Sequence, residues 1–134
     1  MKVTCNATTG DKLPGKYFEH GYSRSSSFDL VSGNEYIVYG ISLWLGFVLY
    51  LVVGEGRRPH WYPADLFEVT SKRLPSCWYF EFLGSKELFE LQAVFGYEEL
   101  IYQDEHFDQL SNLEDLALQI FETRRIEIEA CLDE

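Results

Sequence analysis

The stretch Tyr36–Gly54, YIVYGISLWLGFVLYLVVG, most constrains what this chain can become. It runs for nineteen residues without a charge in a chain of which 25% is charged. Such a run is either a membrane span or the interior of a soluble domain. Its length suits a span, which needs about twenty apolar residues, but its composition suits a sheet. Tyr36, Ile37, Val38, Tyr39, Ile41, Trp44, Phe47, Val48, Tyr50, Val52 and Val53 are β-branched or aromatic, and Gly40 and Gly46 divide the run. Ile37, Tyr39, Ile41 and Leu43 alternate with Val38, Gly40, Ser42 and Trp44, and the first set is the more apolar. Gly46 tolerates a tight reversal, after which Phe47–Val53 returns with both faces apolar, as in a strand covered on both sides. The flanking Glu35 and Glu55 lack the Lys/Arg bias that orients a span. The run therefore predicts a β-hairpin turning near Leu45-Gly46 in a soluble protein.

The 134 residues suit one domain. Residues 1–35, with a serine run and turn signals, read as an irregular amino-terminal segment, 36–96 as a β-rich core and 97–134 as a helical part. Beyond the hairpin, the proline-containing GEGRRPHWYPAD reads as a loop into a third strand from Leu66 to Thr70. A fourth strand is expected over Cys77–Leu83 and a fifth over LFELQAVFG. From Tyr97 short helical turns precede a long helix. Ser111 and Glu114 have the spacing of a capping box, and Leu113, Leu116, Ala117, Ile120, Phe121, Ile128 and Cys131 recur as an apolar stripe. The fold class expected is α+β: a small antiparallel, strongly bent β-sheet or SH3-like barrel followed by carboxyl-terminal helices.

Charge is unevenly spread. Residues 1–80 carry eight basic and seven acidic side chains, whereas 81–134 carry three basic and fifteen acidic, so the net charge of −11 arises in the carboxyl-terminal part. A negative field repels nucleic acid and anionic lipid and steers basic partners. The amino terminus has no apolar stretch of the signal-peptide kind. Cys5, Cys77 and Cys131, odd in number and widely spaced, fit reduced thiols, so a cytoplasmic location is expected.

Motifs for chemistry are missing. His20, His60 and His106 lack metal-ligand spacing and read as surface or loop residues; no phosphate-binding glycine loop or nucleophile motif occurs. No enzyme activity, metal or cofactor is expected. Of the pairs Trp61-Tyr62 and Trp78-Tyr79, one member of each faces away from the other, leaving outward aromatics for a binding patch. Basic residues near Trp61 and Tyr62 make direct nucleic-acid binding a minor alternative, opposed by the overall charge.

The run GNEYIVYGISLWLGFVLYLVV, with HWYPADLFEV and an aromatic strand after it, resembles small bacterial proteins, some of which look like immunity proteins of toxin systems with an SH3-like barrel. The resemblance covers Phe28 to Gly96 and transfers no functional residue. The missing catalytic motifs, the single domain and the acidic segment after Glu81 lead to the expectation of a non-catalytic cytosolic inhibitor of the immunity or antitoxin kind, whose acidic surface neutralises a basic site on a toxin or nuclease domain. Partner-binding candidates are Glu98, Glu99, Asp104, Glu105, Asp108, Glu114 and Asp115, with Trp61, Tyr62 and Tyr79. The alternatives are a nucleic-acid mimic of the phage type that blocks a DNA-binding protein or nuclease, and a small-ligand-binding or enzymatic barrel.

Overall fold

A computed structural model describes residues 1–84 and 91–132. The expected hairpin is present. β3 (Gly40–Trp44) and β4 (Phe47–Val53) pair antiparallel with Trp44 opposite Phe47, which leaves a two-residue turn at Leu45-Gly46. Both turn residues have positive φ, 51° and 83°, as a type I′ turn requires. The Gly46 amide donates to Gln92 Oε1 at 2.7 Å, tying the turn to the neighbouring strand.

The eight strands named among the described residues form two open antiparallel sheets, so the protein is α+β and is not closed into a barrel. The larger sheet has the order β5-β4-β3-β8-β7, with β5 at Pro59–Pro63, β7 at Tyr79–Phe82 and β8 at Leu91–Gly96. The smaller has the order β2-β1-β6, with β1 at Lys2–Cys5, β2 at Glu35–Ile37 and β6 at Phe67–Ser71. The chain passes from one sheet to the other between two consecutive amides. Val38 donates to the Met1 carbonyl at 3.0 Å and Tyr39 to the Leu51 carbonyl at 2.8 Å. Two separate sheets thus stand in place of the single bent sheet or SH3-like barrel expected, and the structure has two cores, one between the sheets and one beneath the helices.

Several expectations are corrected. Lys2–Cys5 is the central strand of the small sheet, although residues 1–35 read as irregular. Its Val3 and Cys5 face the core, a two-residue alternation too short to stand out. Pro59–Pro63 is a strand where a loop was expected; at the sheet edge the amides lost to proline interrupt no ladder. The third strand begins at Phe67, one residue after a short 3-10 turn over Ala64–Leu66. The fourth is trimmed to Tyr79–Phe82 and the fifth to Leu91–Gly96, the start of the latter expectation lying outside the described residues.

The more buried face of β3 is also the opposite of the one expected. Ser42 is fully buried and Gly40 is buried, while Ile41 and Leu43 are half-buried. Gly40 faces Gly96 across the β3–β8 ladder, and Leu100 sits over the pair. A Cβ on Gly96 would lie 2.6 Å from Leu100 Cδ1, and one on Gly40 3.1 Å from it. The small residues make room for a helix, so the less apolar face is the better covered one.

Three helices follow: α1 (Glu98–Tyr102), α2 (His106–Ser111) and α3 (Asp115–Leu132). The expected capping box does not form. Ser111 ends α2 and its hydroxyl donates to the Phe107 carbonyl at 2.9 Å. The Glu114 amide donates to the Gln109 carbonyl and the Leu113 amide to that of Leu110, both at 3.0 Å, with Leu113 at φ 57°. That is a Schellman stop, in which left-handed Leu113 satisfies carbonyls of α2. α3 buries Ala117, Phe121 and Ile128, but Leu116, placed on the apolar stripe from sequence, is 66% exposed.

Candidate functional site

α3 is held by ion pairs whose carboxylates include two of the candidate partner-binding acids. Arg124 sends Nε to Glu99 Oε1 at 2.7 Å and Nη2 to Glu99 Oε2 at 2.9 Å, a bidentate fork. Nη2 also reaches Glu98 Oε2 at 3.0 Å, and Nη1 reaches Glu127 Oε2 at 2.8 Å. The guanidinium holds the Glu99 carboxyl below the ordinary glutamate range, and the carboxylates raise Arg124 in turn. The Glu99 side chain is only 15% exposed. Glu98 and Glu99 thus fasten α1 to α3.

The other five acids are placed differently. Asp104, Glu105 and Asp108 lie between and along α1 and α2, and Glu114 and Asp115 lie at the start of α3. All five are exposed, and no described cation lies within ion-pair distance of them. Glu105 accepts a long contact of 3.4 Å from Gln109.

The aromatic candidates separate. Tyr62 is buried in the core between the sheets, against Phe28 and Phe67, and burial pushes its hydroxyl up to about 12. It is a core residue and not part of an outward patch. Trp61 points to the opposite face, stacked on Phe107 with ring centres 5.0 Å apart, and its indole nitrogen is buried without a partner among the described residues. Tyr79 does face outward. It meets Tyr102 edge to face at 5.4 Å, and the two rings are 46% and 67% exposed. Tyr102 precedes Asp104 and Glu105 by two and three residues, so α1 brings one ring of the pair close in sequence to acids without a described cation partner.

Sequence reasoning missed Tyr102 and the other face of β7. Phe80 lies against its register partner Phe95, the rings tilted by 34° with centres 4.5 Å apart, and both are exposed; Phe82, on the same face, is 68% exposed. The signal was present in YFEF, a strand with aromatics on both faces, which at a sheet edge exposes them.

A cleft of about 570 Å³ lies where the β4–β5 turn meets α3, lined by Arg57, Arg58, Arg125 and Glu122 and by apolar residues that include Val53, Pro59 and Phe121. Arg125 is engaged by Glu122 and Glu129. Arg57 stands at φ 63° in a turn held by Asp29, whose carboxylate accepts from the Gly56 amide at 2.6 Å.

His106 corrects the reading of the histidines as surface or loop residues, for it is buried in α2 with Nε2 2.7 Å from Tyr97 Oη. Among the described residues no three His, Cys, Asp or Glu side chains are grouped to hold a metal, and no helix is long and apolar enough to cross a membrane. No family model, curated protein or solved structure matches the chain.

Proposed function

We propose that this protein is a non-catalytic, inhibitor-type binding protein of the immunity kind, which covers a basic surface of a toxin or nuclease domain. The supporting observation is the exposed Tyr79–Tyr102 pair, with exposed Asp104 and Glu105 following Tyr102 in the chain and exposed Asp108 on α2, acids for which no described residue supplies a cation partner. Exposed tyrosines offer large contact area at low entropic cost, while the surrounding acids speed encounter with a positive partner. Glu98 and Glu99 contribute to this site indirectly, by holding α1 on α3.

The test is capture from host extract with wild type and two variants, Tyr79→Ala/Tyr102→Ala and Asp104→Lys/Glu105→Lys/Asp108→Lys. A basic protein retained by wild type at low salt, and lost with either variant, is expected. Retention unaffected by both variants would overturn the reading. If the captured protein binds DNA and DNA displaces the chain, the nucleic-acid-mimic alternative replaces the toxin.

The arginine-lined cleft favours a second reading, a site for a small anionic ligand on an otherwise acidic chain. Its test is a titration with pyrophosphate, monitored by thermal shift, against Arg57→Ala/Arg58→Ala. Saturable binding lost in the variant supports it, and no shift at millimolar probe removes it.

A further inference from the structure

Of the three cysteines, Cys5 is buried in β1, its thiol donating to the Ala7 carbonyl at 3.2 Å. Cys77 and Cys131 stand 54 residues apart in sequence, yet their sulfurs are 4.0 Å apart and both residues are half-buried. A disulfide needs the sulfurs at about 2.05 Å. The remaining approach of about 2 Å is within what rotation of the two side chains between staggered wells supplies. Cys77 sits in the turn before β7, and Cys131 in the last turn of α3.

We propose that Cys77 and Cys131 are a redox pair, closed into an intramolecular disulfide by exchange with a low-molecular-weight disulfide such as oxidised glutathione. One cysteine thiolate attacks a sulfur of the small disulfide, whose S–S bond breaks and releases one thiolate. The second cysteine then attacks the mixed disulfide at the protein sulfur and expels the other thiolate. Two protein thiols are oxidised, one small disulfide is reduced to two thiols, and the two protons pass to the departing sulfurs. The bond ties the far end of α3 to the strand that carries Tyr79, where Arg124 and Arg125 do not reach. Burial and the neighbouring Cys131 sulfur hold the Cys77 thiol above the ordinary range, so exchange is slow at neutral pH.

The experiment incubates fully reduced protein with excess oxidised glutathione at about pH 8.5, then measures denatured thiol titre, intact mass, linked peptides and thermal midpoint. The expected result is a fall from three titratable thiols to the Cys5 thiol alone, with mass lowered by about 2 Da. A Cys77–Cys131 linked peptide should appear, and the midpoint should rise by roughly 10 °C, reversed by dithiothreitol. Cys5→Ser should behave like wild type, whereas Cys77→Ser and Cys131→Ser should form no internal bond. Three thiols persisting, glutathione adducts alone, or a linked peptide containing Cys5 would overturn the proposal. The peptide map of wild type decides the matter even if a serine variant folds poorly.

Discussion

Tyr97 Oη and His106 Nε2 are 2.7 Å apart in the interior beneath the helices, and the other imidazole nitrogen, Nδ1, is buried with no partner among the described residues. Burial raises the tyrosine hydroxyl far above its usual range and lowers the histidine. Both groups are therefore held neutral and joined by one hydrogen bond. Glu99 opposes the shift of His106 but does not reverse it.

A pH dependence follows from that pair. The unfolded chain takes up a proton near the ordinary histidine value of 6.5, and the folded chain only at lower pH. Between those values the unfolded state binds more protons, so stability is fully present above 6.5 and declines as pH falls below it. The slope for one proton is at most about 1.4 kcal/mol per pH unit. Urea midpoints across pH 7.5 to 5 should show this fall, and His106→Leu should reduce it, the remainder belonging to His60, whose imidazole burial also lowers. That variant should also cost about 1–3 kcal/mol at pH 7.5, because it leaves the Tyr97 hydroxyl unpaired. A wild-type midpoint constant over the window would remove His106 as its source. Glu99 acts lower, its contribution being lost only as pH falls below its ordinary 4.5.

On α3 the cost of substitution should follow burial. Leu116→Asp should change stability by no more than about 0.5 kcal/mol, since the side chain is 66% exposed. Phe121→Ala should cost roughly 3–5 kcal/mol by opening a cavity against Tyr39 and Tyr97. Denaturant unfolding of the two variants checks this; equal costs would mean that α3 packs by another face.

The hairpin was legible because its turn is a local matter: two residues, a glycine and flanking β-branched chains decide it. The helix face was not, because Leu116, Ala117, Leu118, Ile120 and Phe121 offer more apolar positions than one stripe can hold. The choice among them rests on distant partners, with Glu99 and Tyr39 engaging α3 through Arg124 and Glu129. Ser111 and Glu114 fit a capping box locally, and the stop of α2 uses the same amide instead. In β3 the periodicity was right and the face was wrong, since only Leu100 above Gly40 and Gly96 shows why small residues lie on the covered side. At the candidate site, Tyr79 was visible as the outward half of a pair, whereas exposure of Tyr102 depends on where α1 lies relative to β7.

β7 should govern self-association. It is an edge strand carrying Phe80 and Phe82 exposed on one face, and Glu81 is its only charge. Such edges template pairing with other chains unless a charge blocks them. Phe82→Lys removes little buried area, so it should leave stability within about 0.5 kcal/mol while reducing light scattering on heating and in concentrated solution. Unchanged scattering would place the sticky surface elsewhere.

The acidic residues should divide into two groups that a single substitution type separates. Glu99→Lys sets a second cation against the Arg124 guanidinium, which keeps only Glu98 and Glu127, and the loss occurs where the carboxylate is largely shielded from water. Removing one partner of a buried pair costs roughly 3–5 kcal/mol, and the remaining exposure of this site lowers the expectation to about 2 kcal/mol. Arg124→Ala should fall in the same range, and Arg124→Lys should recover only part of it, because an ammonium cannot make the bidentate contact. Asp104→Lys, Glu105→Lys and Asp108→Lys should each stay within about 0.5 kcal/mol of wild type, since no described cation pairs with them. Chemical denaturation of the six variants gives the comparison. Large costs for Asp104 or Glu105 would place them in the scaffold, and the exposed Tyr79–Tyr102 pair would then be the part of the site left to recognise a partner.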